Sequence, residues 1–195
     1  MHQPVRVTPA AAPVVTWNEA DTHLRLDGDT SQKTYVEMLV EAATAHLAGY
    51  AGITGRCLVN ETWRQDFDGW PASGRLRLPF PDVSSVTVKY YDADNVEQTV
   101  ASSLYEALED SRGAYIRFLD GFTSPTVYDD RSDGVQVTLV AGYGAAGSNV
   151  PAAIRAAVLL LVGHYYENRE AVGENSIELP LGVAALVAPY RRVGV

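Results

Sequence analysis

Residues 137–157, VTLVAGYGAAGSNVPAAIRAA, read as a strand, a glycine turn and a helix, and the turn carries Gly142-x-Gly144-x-x-Gly147. A turn of that outline can bring the pyrophosphate of a dinucleotide against the first backbone N–H groups of a helix. The neighbouring residues point elsewhere. Ser148, Asn149 and Val150 separate the last glycine from the helix, and Pro151 at the helix start removes one amide donor. The acid that would bind a ribose is due about 20 residues on. Glu167 and Glu170 stand there, and both belong to the helical stretch. The expected use of the three glycines is a tight exit from the strand into the helix. A small nucleotide- or metal-binding enzyme using residues 142–147 and His164 is the alternative.

The stretch GHYYENREAVG, residues 163–173, gathers His164, Glu167, Arg169 and Glu170. An imidazole and two carboxylates on one helix can ligate a metal or move protons. At 100° per residue, however, His164 and Glu170 point about 120° apart. The residue four after His164 is Asn168, not a second histidine. Tyr165 and Tyr166 beside Arg169 are types enriched at protein interfaces, so contact between subunits is the expected role. His2, His23 and His46 are scattered, and GWPASG around Ser73 is no nucleophile elbow. Cys57, the single cysteine, forms no intrachain disulfide and has no base beside it in sequence. Asp120, Asp129, Asp130 and Asp133 lack calcium-loop spacing. They fall in a long loop expected to be exposed and able to reach a neighbour in an assembly. No catalytic residue, metal or cofactor is expected.

The elements that position these residues follow from periodicity. Thr16-Trp17-Asn18-Glu19 is a capping box that starts a short helix, and Gly28 stops it. A second helix is expected over about 31–53, with Tyr35, Leu39, Ala42, Ala43 and Leu47 at helical spacing. Residues 58–141 alternate in the manner of strands. LVNETWRQDF sets Val59, Trp63 and Phe67 on one side, SSVTVKYYDADNVEQTV reads as a hairpin turning at 92–95, and AYIRFL and GVQVTLVAGY give two more strands. From Pro151 the helical period returns, with Ile154, Val158, Leu161 and Tyr165 in one stripe. Leu159 and Leu160 lie outside that stripe, so this helix should be covered on more than one side, by its own chain or by neighbouring subunits. Its apolar surround is more than a lone small domain is expected to satisfy, so identical copies are the expected cover. A last short helix is expected near 183–188. The fold class is therefore α+β, one domain over 1–195. Its helical core comes from 1–57 and 148–195, and a small antiparallel β unit, 58–147, is inserted between them.

Fifteen basic against 24 acidic residues leave a net charge of −9, which repels nucleic acid and anionic membranes at long range. The apolar run near 158–162 is far too short for a bilayer, and the proline-containing opening residues do not read as a secretory leader. The expectation is a soluble protein of a reducing compartment.

Four stretches in order, VTWNEADTHLRLDGD, YVEMLVEAATAHLAGYAGI-TGRCL, VAGYG with VPAAIRAAVLLLVGHYYENREAV, and ELPLGVAALVAPYR, resemble the head–tail connector proteins. These are also called adaptors or head-completion proteins, of long-tailed phages and gene transfer agents. The resemblance spans nearly the whole chain and is strongest over 14–57 and 137–192. It implies a structural subunit of a virion or phage-like particle, made in the bacterial host cytoplasm and forming a ring, usually of twelve copies, beneath the portal. Such a ring extends the DNA channel, lets DNA pass without specific binding, carries stopper or tail proteins and touches no membrane. Leu159, Tyr165, Tyr166, Glu167, Arg169 and Glu170 are then expected at the subunit interface. The C-terminal segment, with Pro189, Tyr190, Arg191 and Arg192, is expected to dock on the portal.

Overall fold

Thr16 caps helix α1 (Trp17–Leu24) in both directions in the computed structural model of the chain, which describes residues 2–169 and 181–192. Its hydroxyl accepts the Glu19 N–H, and the Glu19 carboxylate accepts the Thr16 N–H at 2.8 Å. Two donors that a helix start leaves open are thereby satisfied. Helix α2 (Lys33–Leu47) buries Val36, Leu39, Val40, Ala43 and Leu47 along one face. It stops at Leu47 rather than near 53, because Ala48 is extended and Gly49 takes a φ of 83°. The chain then folds back: the Thr54 N–H and hydroxyl both donate to the Leu47 carbonyl, at 3.0 and 2.7 Å.

Helix α3 (Ala152–Glu167) follows Pro151 and buries Ile154, Ala157, Val158, Leu161 and Val162. Helices α1, α2 and α4 (Leu181–Val187) all pack on it, and α4 brings the buried Val183 and Val187. The Glu19 carboxylate that closes the capping box also pairs with Arg155, tying α1 to α3. The cover of α3 thus comes largely from its own chain and not, as its apolar surround led one to expect, from identical copies. Leu159 is half-buried, and Leu160 keeps 39% of its surface exposed. Ala11–Val59 and the described residues from Tyr143 to Arg192 make up this helical unit.

Residues 2–10 and Asn60–Gly142 form the other unit, whose strands all pair antiparallel. One sheet has the order β1 (Val5–Thr8), β2 (Glu61–Phe67), β8 (Val135–Ala141), β4 (Val83–Tyr91), β5 (Glu97–Thr99). The other has the order β3 (Arg75–Arg77), β7 (Gly113–Phe118), β6 (Tyr105–Asp110). The central strand β8 pairs Val135 with Phe67, Val137 with Gln65 and Leu139 with Trp63 on one side, and Val137 with Val88 on the other. These side chains share one face and are all buried. The β4–β5 hairpin turns at residues 92–95, where the Asp92 carboxylate accepts the N–H groups of Asp94 and Val96 at 3.1 and 3.0 Å. Trp70 holds the second core cluster, with Tyr90, Phe118 and Phe122 at ring distances of 5.4, 5.5 and 5.0 Å. Its indole N–H donates to the Pro125 carbonyl at 2.8 Å, so the loop between β7 and β8 is anchored at its middle. The chain is α+β.

Candidate assembly site

The glycine turn is consumed by the fold around it. Gly142 and Gly144 have φ of 143° and 154°, outside the range that side chains favour. A Cβ on Gly144 would run into the Asn149 side chain, whose Oδ1 accepts the Ala146 N–H at 3.1 Å. A Cβ on Gly147 would collide with the carbonyl oxygens of Pro13 and Val14. The turn is therefore packed against the segment leading into α1, and each glycine has a steric reason that involves no phosphate.

At the far end of α3, the sequence-predicted contact residues meet the start of α2. The Tyr166 hydroxyl and the Arg169 guanidinium both donate to Gln32 Oε1, at 3.0 and 2.7 Å. The Arg169 Cζ also lies over the rings of Tyr35 and Tyr166, 4.9 and 5.0 Å from their centroids. A guanidinium stacked on two rings and fixed by a carbonyl is held in one place. Tyr165 lies beside His164, 5.9 Å between rings, and burial pushes its phenol pKa up. Glu167 and Arg169 are exposed, and Glu170 lies outside the described residues. Periodicity places Tyr35 on the stripe of α2 but gives no hint that it and Gln32 meet the end of α3; only the packing of α2 on α3 brings them here. Among the described residues, no three His, Cys, Asp or Glu side chains gather as a metal site, and no helix is long and apolar enough to cross a membrane.

The C-terminal segment is held against the turn that follows α2. Pro189 sits in the first turn of a short 3-10 helix, Ala188–Tyr190, that closes α4. The Arg56 Nε–H donates to the Tyr190 carbonyl at 2.8 Å, and the Arg192 N–H donates to the Thr54 carbonyl at 2.9 Å. Thr54 is fully buried, so the anchor is a rigid one. Pro189 and Arg191 are exposed, whereas Tyr190 and Arg192 are half-buried. Thr54 and Arg56 escaped the sequence reading. Their signal was the pair Gly52 and Gly55, which marks a turn built for a purpose beyond ending a helix.

No protein-family model and no curated protein matches the chain. Solved structures do. A protein of the neck of an empty gene transfer agent particle, computed with C6 symmetry, is 27% identical, with a TM-score of 0.80 over all of this chain and 97% of that one. A protein of the virion of a native gene transfer agent particle is 25% identical at a TM-score of 0.74, with the same coverage. A chain from the neck of a native particle, computed with C12 symmetry, shares the fold at 23% identity and a TM-score of 0.69. This likeness supports a structural component of a phage-like particle, situated at its head–tail junction.

Proposed function

We propose that the chain is a head–tail connector, or adaptor, subunit whose copies close into a ring between the portal and the stopper or tail proteins. The observation that carries this reading is the end-to-end likeness to a neck protein, at a TM-score of 0.80 over the whole chain. The C6 and C12 symmetries of the neighbouring necks fit a twelve-membered ring. Such a ring repeats one heterologous contact, and rotation closes it, so that each subunit needs only a modest interface.

In this ring Leu159, Tyr165, Tyr166 and Glu167 of α3, with Arg169 just beyond its end, face the next subunit; Glu170, proposed with them from the sequence, lies outside the described residues. The exposed Leu160 adds an apolar anchor to it. The pinned C-terminal segment, Pro189 to Arg192, presents the exposed Arg191 to the portal, where a basic group suits an acidic surface. A net charge of −9 lets DNA move through the lumen without being gripped. The test is particle assembly in producer cells whose only copy of the chain stops after Pro189. Full heads without tails are expected, and normally tailed particles would overturn the docking role.

A further inference from the structure

The outer face of the three-stranded sheet concentrates positive charge on an acidic protein. Strand register puts Arg75, Arg77, Tyr115, Arg117, Glu106 and Asp110 on one face, with Arg112 at the turn between β6 and β7. The Arg75 and Arg77 guanidiniums lie over the Tyr115 ring, 5.1 and 5.0 Å from its centroid, and leave that tyrosine only 8% exposed. Two of the arginines are matched within the sheet: Arg77 forks onto Asp110 with both bonds at 2.7 Å, and Arg117 pairs with Glu106 at 3.2 Å. Arg75 is different. Its cross-strand partner is Arg117, a like charge directly opposite, which costs stability in a sheet. Among the described residues, no carboxylate lies in ion-pair range of Arg75, and its side chain is exposed.

A guanidinium stacked on an aromatic ring keeps its edge N–H groups for a planar acceptor, and a carboxylate fits them bidentately. We infer that this arginine face is one half of the contact between neighbouring copies, and that it receives carboxylates from the surface of the next copy. Charge selects that occupant. The chain carries 24 acidic against 15 basic residues, so a second copy brings a net excess of carboxylates to meet this face. The same excess repels the phosphates of DNA at long range. A basic face on an acidic subunit also fixes the direction of a head-to-tail contact, because two basic faces repel. The inference rests on the ring proposed above and names the chemistry of one of its contacts.

The test uses purified particles carrying Arg75→Lys, which keeps the charge and supplies an amine. A zero-length carbodiimide joins that amine to any carboxylate in contact. Multimers of this chain are expected, with a peptide linking position 75 to an Asp or Glu of the same sequence, and wild-type particles should lack that peptide. Arg75→Glu with Arg117→Glu should lower occupancy of the neck roughly tenfold or more while circular dichroism stays native. Capture of position 75 by a different particle protein, or by nothing, in necks that visibly hold a ring overturns the inference and leaves the ring standing. A necks-without-ring result removes the ring itself. Retardation of a short DNA duplex by the wild-type chain, lost in Arg75→Glu, would assign the face to nucleic acid instead and equally overturn the inference.

Discussion

The backbone N–H of Arg192 donates to the carbonyl oxygen of Thr54 at 2.9 Å, and this bond fixes where the C-terminal segment lies in the helical unit. Together with the bond from Arg56 to Tyr190 it brackets Arg191, whose side chain is exposed between two restrained residues. A docking residue held this way loses little conformational freedom on binding. Truncation after Pro189 should remove both bonds and yet leave the helices folded, since Val183 and Val187 remain buried. At about 1 kcal/mol per hydrogen bond, the expected cost is a shift of a few degrees in the melting temperature, read by circular dichroism. Loss of tailed particles without loss of fold is the expected pair of results.

Glu19 serves two partners, the Thr16 N–H at one oxygen and the Arg155 guanidinium at the other. Thr16→Ala should cost about 1 kcal/mol in urea unfolding. Glu19→Ala should cost more, because it also leaves Arg155 without its carboxylate. The double variant should fall short of the sum of the two, since they share the capping box. Additive losses would mean that the box contributes nothing as a unit.

Gly147→Ala sets a methyl group against the carbonyl oxygens of Pro13 and Val14, and backbone cannot step aside cheaply. A loss of about 2 kcal/mol or more in unfolding free energy is expected. Adding ATP or NAD, with or without magnesium, should leave the wild-type melting temperature unchanged, as a ligand of the native state would raise it. A rise abolished by Gly144→Val would return the glycine turn to nucleotide binding.

The two hydrogen bonds from Arg77 hold the Asp110 carboxyl at about 2, below its ordinary 3.8. A depressed folded-state pKa means that the stabilisation is present above 3.8 and is lost as the pH falls towards 2. Asp110→Asn never has it. The gap in stability between wild type and this variant should therefore be steady near neutrality and close between about pH 4 and 2 in urea titrations. The gap should be small, because the pair is solvent-facing.

Much of this architecture is legible in the residues, for reasons that are local. The capping box at Thr16, the stripe from Ile154 to Leu161 and the hairpin turning at Asp92 are each written in a few neighbouring side chains. Elements whose identity depends on distant partners are not. Strand β1, VRVT, alternates over only four residues, all of them exposed, and it is a strand because it pairs with β2. The three-residue strand β3 owes its place to β7 in the same way. The apolar surround of α3 reads as more than a lone small domain can cover, which points to identical copies around it. The packing of α1, α2 and α4 supplies most of it and leaves Leu160 the exposed large apolar residue of that helix. Tyr166 and Arg169 were marked by residue type, but their partners Gln32 and Tyr35 stand more than a hundred residues earlier, beyond any pattern of spacing.

The most direct measurement is electron cryomicroscopy of particles made with this chain and without it. A closed ring of this polypeptide between capsid and tail, absent with its tails when the chain is missing, is the expected result. Tailed particles whose neck contains no copy of the chain would contradict the connector role outright.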